Sequence, residues 1–245
     1  MILSNRAFGK ALIAAAVGLT LTGTPAAAET PQTTSEFDQQ VRDALLRNPE
    51  IILEVFALLE QKEQAAKAVK DKDLIASVAD ELFAGLDMSK PILVEFQDYN
   101  CGYCRKAHPT VMEMREQIPG LQFVVMEMPI LNDGSRYSAQ AALAVKEIEG
   151  EEAYVRFVDE MMRNAGPANV ATVLKVLTKL GHDAEEIVKA IKDGKGANEL
   201  NRARDLADAL GVTGTPYFVG PGGIIRGVAS KDRLQALTVA DGSDS

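Results

Sequence analysis

The 245 residues carry 47% hydrophobic and 25% charged side chains, an ordinary globular balance with enough apolar material for a real core. The formal charge of −9 argues against nucleic acid and against an anionic membrane surface as partners. The only two cysteines, Cys101 and Cys104, close too small a loop to act as a useful structural staple.

The first 28 residues read as an export signal. Arg6 and Lys10 lead an apolar run, Ala11 to Gly23, too short to span a bilayer, and Ala26-Ala27-Ala28 offers a small-residue cleavage site before Glu29. Cleavage leaves 24 of the 26 cations against 35 acids. No other run is long and apolar enough to cross a membrane, so the mature chain is expected to be soluble and to meet an oxidising compartment.

Residues 29–35 are polar and predict no regular structure. From Glu36 the pattern turns helical, with Phe37, Val41, Ala44 and Leu45 on one face. Asn48-Pro49 interrupts it, Asn48 as an N-cap and Pro49 at the first position of a second helix. There Ile52, Val55, Leu59, Lys62, Ala66 and Val69 recur at heptad-like steps, and Ile51 and Leu58 widen the stripe. Such a face either packs on its own domain or builds an oligomer, and its place ahead of the dithiol region favours the second. Residues 61–73 read as a solvated helical linker, and Leu74 to Phe83 as a further short helix.

Pro91 to Asp98 predicts a strand buried on both faces. A helix over 102–117, with a kink at Pro109, and a strand over 121–127 complete a βαβ unit, so the two strands should be parallel. Residues 135–211 read as helices broken near Gly150, Gly166-Pro167, Gly181 and Gly194 to Gly196, their methionines filling core gaps. After Gly211, Thr215-Pro216 leads into a hairpin around Pro221-Gly222-Gly223. Ser230 caps a last helix, and the tail after Val239 is polar and loose.

The chemistry concentrates in Cys101-Gly102-Tyr103-Cys104, between the first strand and its helix. A cysteine at a helix N-terminus faces unpaired N–H groups and the positive end of the helix dipole, both of which favour thiolate. Arg105 and Lys106 add positive charge nearby. Cys101 is therefore expected to be the exposed nucleophile and Cys104 the more buried resolving thiol. A closed zinc site needs four ligands; besides the cysteines the chain offers only His108 and the distant His182, expected at the surface. Haem attachment needs histidine where Arg105 stands. Copper(I) on two thiolates remains chemically open. His108, one helical turn beyond Cys104, either tunes the dithiol or simply packs.

Glu95-Phe96-x-Asp98-Tyr99-x-Cys101-x-Tyr103-Cys104-Arg105-x-x-His108-Pro109, together with Gly211-Val212-x-Gly214-Thr215-Pro216, resembles the thioredoxin superfamily in its DsbA branch. Within that branch it is similar to the subgroup of Com1 and the suppressor-of-copper-sensitivity protein ScsC, whose leader resembles the segment running from Val41 to Ile52. The resemblance implies an α/β thioredoxin-like fold with an inserted helical domain, preceded by an N-terminal helical segment. It implies that Pro216 is a cis-proline facing the dithiol, that Thr215 offers backbone hydrogen bonds to an extended substrate, and that Glu95 is a buried acid able to take the proton of Cys104. Gly102 and Tyr103 would tune the reduction potential. One departure is that only residues 84–89 are available for a further strand that relatives carry before the one at Pro91.

The expected organisation is a signal over 1–28, a helical and oligomerising segment with linker over 29–73, a thioredoxin-like domain over 74–240 with its insertion at about 130–211, and a loose tail over 241–245. The expected activity is periplasmic thiol–disulfide exchange on cysteine-containing exported proteins, with a membrane redox partner and no cofactor beyond the dithiol. It leans to isomerase or reductase action, with DsbA-type oxidase and copper(I) binding as alternatives.

Overall fold

The computed structural model describes residues 33–240. The expected export signal and the tail beyond residue 240 lie outside the described residues. The chain divides into two compact units, one ending at Ala57 and the other beginning at Leu58.

In the first unit, helix α1 (Thr33–Arg47) starts three residues before the apolar pattern does. Asn48 does not cap the next helix as expected. Its side-chain amide donates to the Ala44 carbonyl at 2.9 Å and closes α1 instead. Helix α2 (Glu50–Leu82) is one continuous helix of 33 residues, running together the second helix, the helical linker and the short helix that the sequence reading keeps apart. No glycine or proline interrupts residues 50–82, and Lys, Gln and Ala are strong helix formers, so charge alone does not break it.

In the second unit, strand β1 (Ile92–Gln97) leads to helix α3 (Gly102–Gln117) and strand β2 (Gln122–Glu127). Strands β1 and β2 are parallel, with Glu95 opposite Val125 and Gln97 opposite Glu127. Five helices follow: α4 (Asp133–Glu149), α5 (Glu151–Arg163), α6 (Val170–Leu180), α7 (Ala184–Lys192) and α8 (Ala197–Ala209). The hairpin of β3 (Tyr217–Gly220) and β4 (Gly223–Arg226) returns the chain, and α9 (Lys231–Leu237) ends it. The sheet order is β2-β1-β3-β4, with β3 antiparallel to β1, so β1 is central. Among the described residues no strand forms over 84–89, the stretch left for the further strand that the resemblance implied.

Every residue of β1 is buried. Ile92, Val94 and Phe96 pack on one face with Leu82, Leu206 and Val219, while Leu93 packs on the other with Val111, Met114 and Phe218. Burying both faces is what a nearly continuous apolar strand requires. Tyr99, Cys101 and Cys104 belong to a third cluster, with Leu143, Phe157 and Met161 of the inserted helices. The dithiol thus sits where the sheet domain meets its insertion.

The sheet edge closes tightly on α9. A Cβ at Gly220 would collide with the Leu237 carbonyl, and the Ile92 N–H donates to the Thr238 carbonyl at 2.9 Å. Ser230 occupies the N-cap position of α9, but its hydroxyl makes no cap bond. In the second unit Asp71 of α2 is buried and grips Arg226 of β4 through two hydrogen bonds, at 2.7 and 2.9 Å.

His182 corrects the sequence reading. It is buried, not at the surface, and its Nδ1 lies 2.8 Å from the Glu149 carboxylate at the end of α4. The carboxylate gives the ring a partner inside, so the corner between α6 and α7 tucks it in.

Candidate active site

The turn between β1 and α3 is fixed by Asp98, whose side chain is buried. Its carboxylate accepts from the Asn100 N–H and the Ser135 hydroxyl at 2.7 Å each, and from the N–H groups of Ile130 and Leu131 at 2.9 and 3.1 Å. The Asp98 carbonyl accepts from the Cys101 N–H at 3.0 Å. Asn100 reaches across to the insertion, accepting from the Ala168 N–H at 2.8 Å and donating to its carbonyl at 2.9 Å.

Cys101 is the N-cap residue of α3, and its Sγ accepts from the Cys104 N–H at 3.4 Å. The same sulfur donates to the Thr215 carbonyl at 3.1 Å, and the Thr215–Pro216 peptide bond is cis. Cys101 is only 7% exposed, less open than the sequence predicted, because the Thr215 segment lies against it. Cys104 is fully buried, and burial pushes its thiol well above the ordinary range; hydrogen bonds to Thr215 and Asp98 oppose this, while the charges of Glu95 and Cys101 reinforce it. Gly102 and Tyr103 face outward, Tyr103 at 67% exposure.

Arg105 is more than a source of charge. Its Nε donates to the Tyr99 carbonyl, and one Nη donates to the carbonyls of Asn164 and Gly166, all at 2.8 Å. It therefore ties the loop between α5 and α6 to the dithiol turn. His108 is buried against α5, with Nε2 2.8 Å from the Asp159 carboxylate. Burial lowers its pKa, with Asp159 partly opposing.

Glu95 is buried in the middle of β1, and its pKa is pushed up to about 8, first by burial, then by the charges of Glu127 and Cys101. Glu127 escaped the sequence reading. It is 3% exposed, and both the Tyr99 and Tyr154 hydroxyls donate to its Oε1, at 2.7 and 2.9 Å. Burial raises its pKa to about 7, against the lowering effect of the two tyrosines. The available signal was an acid ending an apolar strand parallel to β1. Among the described residues no group of three or more His, Cys, Asp or Glu side chains is gathered to hold a metal.

A two-cysteine turn at a helix start, facing a cis X-Pro bond across a mixed sheet, defines a thioredoxin-fold dithiol protein. Comparison narrows this: residues 92–238 match the DSBA-like thioredoxin domain family, and the chain belongs to it. Residues 34–66 match the copper resistance protein ScsC N-terminal domain. Among solved structures, a thioredoxin-like oxidoreductase from Silicibacter pomeroyi DSS-3 is 33% identical, covering 59% of this chain and 82% of its own, with a TM-score of 0.55. The thiol-disulfide exchange protein alpha-DsbA2 from Wolbachia pipientis is 26% identical, covering 69% and 95%, with a TM-score of 0.61. Proteus mirabilis ScsC in a compact conformation is 25% identical, covering 80% and 99%, with a TM-score of 0.54. The curated Na(+)/H(+) antiporter NhaA 3 of Salinispora tropica is 28% identical over 126 residues, which make up 51% of this chain but 19% of the antiporter. Among the described residues no helix is long and apolar enough to cross a membrane.

Proposed function

We propose that the protein is exported to the periplasm and exchanges disulfides with cysteine-containing protein substrates there. The observation that carries this reading is the setting of the Cys101 sulfur, between the Cys104 N–H at 3.4 Å and the Thr215 carbonyl at 3.1 Å. An N–H at a helix start stabilises the thiolate that attacks a substrate disulfide. Cys104 then resolves the mixed disulfide, with Glu95 taking its proton. Thr215 and Pro216 form the edge along which an extended substrate segment lies. Family membership and the relatives named above support thiol–disulfide exchange as the class of reaction.

The direction we favour is isomerase or reductase, with a membrane redox partner keeping the dithiol reduced and no cofactor beyond it. In support, the first unit exposes Phe37, Val41, Leu53 and Phe56, a face suited to bringing copies of the chain together. Acid-quenching intact cells and alkylating their free thiols tests the direction: a mostly reduced dithiol is expected, and a mostly oxidised one makes the protein an oxidase. If a Cys101→Ser variant kept full activity on a scrambled-disulfide substrate, the exchange reading would fall and ligation of copper(I) by the thiols would replace it.

A further inference from the structure

Glu127 is a buried acid that the two-cysteine chemistry leaves without a task. Glu95 and Gln97 alternate along one face of β1, and Gln97 stands opposite Glu127 on the parallel neighbour. Strand rise and spacing put the Cα atoms of Glu95 and Glu127 about 8 Å apart on that shared face. Tyr99 continues the alternation and donates its hydroxyl to Glu127. Both tyrosine bonds fall on Oε1, and Oε2 is buried with no partner among the described residues. The Gln97 side-chain nitrogen is likewise buried without a partner at normal hydrogen-bond distance, yet Gln97 lies near enough to favour the charged form of Glu127. Glu127 also lines a cavity of 210 Å³, with Arg136 and Gln140 of α4 and Asn201 and Arg204 of α8.

We propose that Glu127 is a second acid beside the exchange site, whose charge, exposed to the cavity between α4 and α8, sets how strong a base Glu95 is. This rests on the exchange reading above. In the resolving step the Cys104 S–H bond breaks and its proton passes to the Glu95 carboxylate. The Cys104 thiolate attacks Cys101, the Cys101–substrate S–S bond breaks, and the Cys101–Cys104 disulfide forms. The substrate sulfur leaves with the bonding electrons and takes a proton from water, so the substrate is reduced and the dithiol oxidised.

Two carboxylates this close in a buried place resist being charged together. A charged Glu127 therefore makes Glu95 a stronger base, and a neutral one makes it weaker. The electrostatic surroundings are shared by several elements. Asp98 and Tyr99 face Glu127 from the end of β1 and its turn, and Tyr154 from α5, with Glu151 acting on that tyrosine. Arg136 and Lys146 of α4, and Glu199, Arg202 and Arg204 of α8, line the two cavities it borders. Glu127 acts through Glu95 and is a positioning residue, so its mark is on the pH dependence of resolution.

Stopped-flow mixing of the reduced full chain with 5,5′-dithiobis(2-nitrobenzoate) releases one thiolate as Cys101 attacks and a second as Cys104 resolves. The midpoint of the second phase against pH is the readout. Glu127→Gln should lower it by about one unit, because Glu95 loses a like-charged neighbour. Tyr154→Phe should move it the same way by less, since Glu127 without that donor holds its proton more readily. Adding Glu127→Gln to Glu95→Gln should move nothing further. A midpoint unmoved by both Glu127→Gln and Tyr154→Phe, or a Glu127→Gln shift that persists in the Glu95→Gln background, overturns the inference. A wild-type chain without a second phase overturns the exchange reading itself.

Discussion

The sulfur of Cys101 donates to the Thr215 carbonyl at 3.1 Å, across 114 residues of chain. This contact makes the site two-sided: the helix start supplies the reactive sulfur, and the segment before β3 supplies its wall. On the exchange reading, Cys101 gives up this S–H bond when it loses its proton to attack a substrate disulfide. The freed Thr215 carbonyl is then expected to accept from the substrate's backbone.

Cys104 is fully buried and Cys101 slightly open, so the exchange reading gives the two thiols different roles. Cys104→Ser should leave attack by Cys101 intact and stop resolution, so mixed disulfides with substrates accumulate as higher-mass bands on non-reducing gels. Cys101→Ser should give no such bands and reduce turnover of a scrambled substrate to its uncatalysed rate. If Cys104→Ser accumulates nothing while Cys101→Ser does, the assignment is reversed.

Glu95 should make stability fall with rising pH. Its pKa is about 8 in the folded chain against 4.5 for an ordinary glutamate, so between those values the folded state holds a proton that the unfolded state has released. Stability then declines as pH rises through this window, opposite to the usual salt-bridged carboxylate. Glu95→Gln needs no proton and should flatten the decline, leaving the variant about 5 kcal/mol more stable than wild type above the window. Urea unfolding of the reduced protein at several pH values checks this; parallel curves for the two proteins would contradict it.

The sequence made the frame of the site legible because its parts are local. The apolar run of β1, the helix start at Cys101 and the glycines that break the insertion each act over a few residues. Glu127 and Arg105 were not legible in the same way. An acid at a strand end reads as solvated until two tyrosines from other elements close over it. An arginine beside a cysteine reads as charge until its guanidinium is found on three carbonyls. Likewise, His182 reads as exposed at a helix boundary because its partner Glu149 lies 33 residues away. In α2 the helical linker reads correctly as helix, but its charged surface hides that it runs unbroken into the helices on either side.

The guanidinium of Arg105 spans the Tyr99, Asn164 and Gly166 carbonyls, a fork that an ammonium group cannot reproduce. Arg105→Lys keeps the charge and should still lower stability by about 2 kcal/mol, through carbonyls left without donors. Thermal unfolding measures that loss. Hydrogen exchange should also quicken around residues 164–168, where the insertion loses its tie to the dithiol turn. An Arg105→Lys chain as stable as wild type would mean that the residue serves only as charge.

The first unit supplies the last expectation. Leu53 is 71% exposed, Phe37 63% and Phe56 60%, an apolar surface that a lone chain has no reason to leave in water. Association of copies through α1 and the start of α2 would cover it and bring several dithiols to one substrate. Light scattering of the mature chain should then give a multiple of the monomer mass. Leu53→Glu with Phe56→Glu should reduce it to one copy, because a buried carboxylate without a partner is costly. These positions lie outside the dithiol site, so reaction with a small disulfide should be unchanged while refolding of a scrambled protein falls. A monomeric wild-type chain would remove the oligomer from the account, and an oligomer untouched by both glutamates would move its interface elsewhere.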